Sequence, residues 1–219
     1  MLSKLIIDFK AVSPKHGDLF RGRNPVEYAA ELERKGVLGL SVVTESEHFG
    51  GSLSLLRDIC KAVSLPVIRK DFIQTSEDLK ETADCGAAAV LLIAATCERL
   101  DLLYEKSLEL GLKPLVEVHD AWEMEAAKKL GAKYIGINNK DIKLLEKDSL
   151  GIETTKNLIR YAPAGSFIVS ESGMDSADDI RKAISYGADA ALVGTAFWRG
   201  KIADLFGGDF ALPPEQNRG

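Results

Sequence analysis

The sequence is poor in what disulfide frameworks, metal centres and membranes require. Cysteine occurs three times, at Cys60, Cys85 and Cys97, and never in a CxxC spacing. An odd, scattered set excludes a disulfide scaffold and reads as buried, reduced thiols. Histidine is equally sparse: His16, His48 and His119 stand far apart, so no metal is expected. No apolar run approaches the roughly 18 residues needed to span a bilayer. The opening MLSKLIIDFK has no apolar h-region and no small-residue cleavage site, so it is not a secretory signal. Positive charge is not in excess either. Lys and Arg number 28 against 33 Asp and Glu, for a net charge of −5 and a pI near 5.4. That argues against the basic face of a nucleic-acid or membrane-surface protein. The expected setting is soluble and cytoplasmic, without nucleic-acid or membrane partners. Also missing are a GxGxxG after the first apolar run and any low-complexity linker.

What is present is a repeat of pattern. The chain of 219 residues is 46% hydrophobic and 28% charged, which suits one globular domain with a sizeable core. Four times a polar amphipathic stretch leads to a glycine and then to a short apolar run: ERKGVLGLSVV (33–43), ADCGAAAVLLI (83–93), KKLGAKYIGI (128–137) and SYGADAALVG (185–194). Gly36, Gly86, Gly131 and Gly187 are placed to end helices in the left-handed conformation. The runs that follow do not alternate, as expected of parallel strands buried on both faces. With four further apolar runs, eight strands are expected, at 5–9, 38–43, 65–69, 89–93, 114–118, 133–137, 166–170 and 190–194. Helical patterns lie between them, at 24–36, 76–86, 97–111, 121–131 and 176–187, with Ser76 and Ser176 as N-caps. Trp122 and Trp198 read as packing residues. Eight such alternations point to an α/β (β/α)8 TIM barrel over residues 1–206, with a doubly wound open sheet as the second choice. The Gly/Pro-rich tail, 207–219, is expected to be disordered.

In such barrels the active site lies at the C-terminal ends of the strands. The chain delivers there Asp8 and Lys10, Lys70, Glu117, Asn138 and Glu171. A lysine inside a buried strand is costly, whereas at a barrel mouth it is solvated on one side and can point at a ligand. Glu117, flanked by Val116 and Val118, is an acidic group in an otherwise apolar strand. An internal Lys–Glu ion pair without chemistry explains either residue alone. Convergence of the whole set favours an acid and a base held on rigid strands. The segments ESGM (171–174) and LVGTA (192–196) follow strands seven and eight, where barrels commonly bind phosphate through glycine N–H groups. Ser172, Gly173, Gly194 and Thr195 are the candidates. His119 reads as a loop residue beside the site.

On these residues the sequence resembles the indole-3-glycerol-phosphate synthase family, barrels of the ribulose-phosphate-binding type. The likeness runs from residue 5 to about 199, through DFKAVSPKHG (8–17), SVVTESEHFGGSLSLL (41–56), PVIRKDFI (66–73), VLLIAA (90–95), PLVEVHD (114–120), GINNKD (136–141), VSESGM (169–174) and ALVGTAF (191–197). It implies a cofactor-free lyase of tryptophan biosynthesis. Such an enzyme converts 1-(2-carboxyphenylamino)-1-deoxyribulose 5-phosphate to indole-3-glycerol phosphate by ring closure, loss of CO2 and dehydration. By that likeness Lys70 is the general acid of ring closure and Glu117 the carboxylate of dehydration. Lys10 meets the substrate carboxylate. Asn138, Glu171 and Ser172 hold its hydroxyls and ring-nitrogen region, and Ser13, Gly173, Gly194 and Thr195 its phosphate. Phe72 and Ile68 line the pocket for the aromatic ring. Other tryptophan-pathway enzymes are implied as partners.

Three departures stand out. Asp8 occupies a position where the family carries glutamate. The segment that precedes this first strand in the family is not seen, which makes the chain a short form. Lys15 follows Ser13-Pro14 where a serine is usual. They keep two alternatives in view: a paralogous barrel enzyme on a related aryl-amino sugar phosphate, and a non-catalytic subunit that binds a phosphorylated metabolite.

Overall fold

The computed structural model describes residues 1–140 and 151–207. Its strands in chain order are β1 (Leu5–Phe9), β2 (Val12–Ser13), β3 (Gly17–Asp18), β4 (Gly39–Val43), β5 (Val67–Lys70), β6 (Ala89–Ile93), β7 (Lys113–Val118), β8 (Tyr134–Asn138), β9 (Phe167–Glu171) and β10 (Ala190–Val193). The helices are α1 (Pro25–Lys35), α2 (Leu53–Ala62), α3 (Ser76–Asp84), α4 (Leu100–Glu109), α5 (Ala121–Lys129), α6 (Glu153–Leu158), α7 (Ala177–Ser185) and α8 (Thr195–Trp198). β1 and β4 to β10 close into an all-parallel barrel, with β1 paired to both β4 and β10. This is the (β/α)8 barrel that the alternation implied. Each barrel strand lies within two residues of its expected span.

Side chains alternate across each strand, so one set fills the barrel and the other meets the helices. Ile6, Ile68, Leu91, Leu115, Val169 and Leu192 belong to the inner cluster. Their strand neighbours Ile7, Val67, Leu92, Val116, Ile168 and Val193 pack outward in two separate clusters under the helices. Because both sets are apolar, the strands read as unbroken apolar runs. The same parity sends Asp8, Lys70, Glu117, Asn138 and Glu171 inward at the strand ends.

The helix ends follow local chemistry. Gly36, Gly86, Gly131 and Gly187 all have positive φ, as the pattern required. Ser176 caps α7 by accepting from the Asp179 N–H at 3.2 Å. Ser76 does not cap α3. It is the first helical residue, and Thr75 is the cap, in a reciprocal capping box with Asp78. The small β2–β3 hairpin was not foreseen, because two-residue strands carry no periodicity. The two tryptophans part ways: Trp198 is buried, but Trp122, expected to pack, is 86% exposed. The expected disorder of the tail concerns, Gly207 aside, residues outside the described ones.

Candidate active site

The C-terminal ends of the strands surround an open cavity. Asp8, Lys10, Ser13, Lys70, Ser172, Gly173, Gly194 and Thr195 line it, together with Lys15, noted above as a departure from the family, and with His16 and Lys140, which were not expected at the site. A smaller recess adjoins it, lined by Lys10, Lys70, Phe72 and Phe49. Of the thirteen residues expected at the site, twelve are therefore gathered at this end of the barrel or in the strand ends beneath it. Ile68 is the exception. Two residues before Lys70 on the same inward row, it lies a layer deeper and opens onto an apolar cavity beside Ile6 and Phe167. It cannot line the mouth.

The central charges are close. Lys70 Nζ lies 3.6 Å from Glu117 Oε2, reaching across the end of β6 from β5 to β7. That works because β6 ends in Ile93 and offers nothing charged. Glu117, Asn138 and Glu171 are fully buried. Neither Glu171 oxygen, neither Glu117 oxygen nor Asn138 Nδ2 has a hydrogen-bond partner among the described residues. Buried polar atoms of this kind are costly unless something completes them. Glu171 fits beside β8 only because residue 136 is glycine: a Cβ there would fall on the Glu171 carboxylate.

The two carboxyls are driven apart in acidity. Burial raises Glu171 well above the usual carboxylate range, and the charge on Glu117 pushes the same way. Burial also opposes ionisation of Glu117, but Lys70 and His119 overcome it and hold that carboxyl below its ordinary value. The protonated form is favoured at Glu171 and the ionised form at Glu117, the kind of split that acid–base sites use. His119 lies 3.4 Å from Glu117 Oε1 through Nε2 and 3.0 Å from Glu123 Oε2 through Nδ1. Burial lowers its pKa, but these two carboxylates raise it to about 10.

The other half of the mouth is backbone. Ser172 and Gly173 have φ of +62° and +69°, consecutive left-handed residues. For serine that conformation costs about 1–3 kcal/mol and persists only when neighbours impose it. Asn139 does so: its Nδ2 donates to Ser170 Oγ, Glu171 O and Ser172 O, while its Oδ1 accepts from the N–H and hydroxyl of Thr155. Gly194, across the recess, lies so near Asp8 that a Cβ would sit 3.1 Å from the aspartate's Cβ and Oδ2. The Trp198 indole N–H donates to Asp8 O at 2.8 Å and ties α8 to β1.

Arg69, which points the other way, was missed as well. Its guanidinium is buried outside the barrel and donates to Thr44, Asp71, Thr82 and the Asp78 carbonyl. It anchors the end of β5, and so Lys70, against α3. Its signal was the abrupt change from the apolar run 65–68 to three charged residues at 69–71. Among the described residues, Glu45, Glu47 and His48 come together with metal-like spacing. Glu45, however, is occupied in accepting the N–H groups of Glu47, His48 and Phe49.

Fold and mouth together define a class: a (β/α)8 barrel that sets lysines and carboxyls against a glycine-lined recess, suited to acid–base chemistry on a small anionic molecule. The comparisons narrow this. The family model described as "Indole-3-glycerol phosphate synthase" matches residues 2–205. An indole-3-glycerol phosphate synthase of Thermococcus kodakarensis is 42% identical over 196 residues, covering 89% of this chain and 86% of the relative. One from Pyrococcus abyssi is 41% identical, covering 89% and 85%. Indole-3-glycerol phosphate synthase 1 of Streptomyces coelicolor is 42% identical over 200 residues, covering 90% and 73%. The chain belongs to the indole-3-glycerol phosphate synthase family. Its fold also resembles the solved N-acetylmannosamine-6-phosphate 2-epimerase of Clostridium perfringens, with a TM-score of 0.71 at 16% identity over 89% of this chain and 87% of that one. No helix among the described residues is long and apolar enough to cross a membrane.

Proposed function

We propose that the chain is an indole-3-glycerol-phosphate synthase, a decarboxylating lyase of tryptophan biosynthesis working in the cytoplasm. The observation that carries this reading is the Lys70–Glu117 pair, 3.6 Å apart at a barrel mouth shared with Lys10 and Gly194. Lys70 gives a proton to the ribulose carbonyl oxygen as the aromatic carbon attacks it, so the developing oxyanion is neutralised in place. Lys10, between the main cavity and the Phe72 recess, neutralises the anthranilate carboxylate and orients it until CO2 leaves. Glu117, held ionised, takes the ring proton in the dehydration that completes the indole. Glu171, whose burial favours the protonated form, can donate to a substrate hydroxyl, beside Asn138 and Ser172. The phosphate lies against the backbone of Ser172, Gly173, Gly194 and Thr195, with Ser13 closing the recess.

The test is a fluorescence assay for indole-3-glycerol phosphate from the carboxyphenylamino-deoxyribulose phosphate, with Lys70→Met as control. Turnover by the natural chain, lost in the control while the fold survives, supports the reading. Binding without turnover would replace it with the phosphometabolite-binding alternative. Turnover only of a related aryl-amino sugar phosphate would favour the paralogue, for which the shorter Asp8 side chain is the motive.

A further inference from the structure

His119, read in the sequence as a loop residue beside the site, is the first residue after β7 and continues the line of its inward side chains. Leu115, Glu117 and His119 follow one another at a period of two, so the imidazole sits at the rim directly after the buried carboxylate. Glu123, in the first turn of α5, comes back to it: its Oε2 accepts from the His119 backbone N–H at 2.7 Å and meets Nδ1 at 3.0 Å. Nε2 then faces Glu117 Oε1 at 3.4 Å. Nδ1 is within hydrogen-bond distance of Glu123, whereas Nε2 meets Glu117 as a charge contact outside hydrogen-bond geometry; a carboxylate at each nitrogen favours the imidazolium.

We propose that His119 is a positioning residue for Glu117, a cation clamped by Glu123 that fixes the orientation and charge of the buried carboxylate. The inference rests on the reading of Glu117 as the base of the dehydration. Other groups also face Glu117: Lys70 from β5, Asn138 from β8 and Glu171 from β9, with Asp8 of β1 acting on Glu171. Lys70 is the nearest cation, but it is also the acid that gives its proton away at ring closure. Once Lys70 has done so, His119 still holds a positive charge against Glu117. Glu117 thus remains ionised beside Glu171 for the later step. Nothing in this role needs His119 to touch substrate. The row is graded toward solvent: the side chains of Glu117, His119 and Glu123 are 0%, 13% and 18% exposed. The clamp is therefore closed by a residue that a substitution reaches without opening the barrel.

The test compares His119→Gln, Glu123→Gln, Glu117→Gln and the His119→Gln/Glu117→Gln double variant by steady-state kinetics across pH. His119→Gln should lower kcat by about tenfold to a hundredfold with little change in KM, as losses of an orienting partner do. The acidic limb of its kcat profile should move to higher pH, because losing a cation raises the pKa of Glu117. Glu123→Gln should do the same more weakly, and it carries the readout should His119→Gln fold poorly. On the Glu117→Gln background, the His119 change should have no further effect on kcat. A normal kcat and an unmoved acidic limb in His119→Gln, with Glu117→Gln impaired, would overturn this inference alone. An additive loss in the double variant would do so too. A normal kcat in Glu117→Gln would instead overturn the assignment of the base, and this inference with it.

Discussion

Glu117 and Glu171 are both fully buried glutamates, two strands apart on one barrel mouth, and their neighbours give them opposite characters. Glu117 has Lys70 and His119 within 4 Å. Among the described residues Glu171 has no such partner within 4 Å, and Lys70 does not offset its burial and the charge of Glu117. Replacing each by its amide therefore asks two different questions. Glu117→Gln removes a charge and a base, and should lower kcat by about a hundredfold or more while raising KM far less. Glu171→Gln keeps a neutral group of the same shape that can still donate. It should retain most of the turnover, whereas Glu171→Ala, which loses the donor, should not. Steady-state kinetics on the three variants decides this. If Glu171→Gln is as damaged as Glu117→Gln, Glu171 acts in its ionised form and the split described above is wrong.

At the scale of elements, rigid strand ends and tight backbone approaches build the site. Gly136 in the middle of β8 is the sharpest case, because the space a Cβ would take is already filled by Glu171. The clash is with an inward carboxyl group in a packed interior, so Gly136→Ala displaces the Glu171 side chain rather than the strand. It should cost activity more than stability: turnover falls by about a hundredfold, the effect of misplacing a catalytic group by an ångström. Circular dichroism would show a folded barrel and kinetics the loss. A variant with full activity would mean that Glu171 has no fixed place in catalysis. The cap of α3 offers the opposite control. Thr75→Ala removes one partner of a surface capping box and should lower stability by about 1 kcal/mol with turnover unchanged. Denaturant unfolding and the assay, run on one preparation, test both halves.

For the whole molecule, the barrel was legible because its signal is repetitive. Each buried parallel strand is an apolar run, and α1, α3, α5 and α7 stop at a glycine of positive φ. Lys70 and Glu117 were legible because a charge breaks such a run. Arg69 and Asn139 were not: their partners lie on other elements, and only the closed barrel brings Thr155 and Ser170 to Asn139. Ile68 shares the inward row of Lys70 but, two residues earlier, lies one layer deeper. His119 shows the limit most clearly, because its two carboxylates come from a strand and a helix. That clamp also has a consequence for the fold. His119 is raised from about 6.5 to about 10, so between those values the folded chain binds a proton that the unfolded chain releases. Its contribution is fully present below the unfolded value and is lost as pH rises toward 10. Glu171, also raised, works in the same sense from the ordinary carboxylate range upward. The lowered acids Glu117, Asp78 and Glu45 act in the opposite sense, but at acid pH. Denaturant unfolding from pH 6.5 to 10 should therefore show stability falling steadily. His119→Gln should show a flatter curve, with the thiols of half-buried Cys60 and buried Cys97, both raised by desolvation, common to both and cancelling in the difference. Parallel curves would mean that His119 takes up no extra proton on folding. The imidazole would then meet its two carboxylates as a neutral ring.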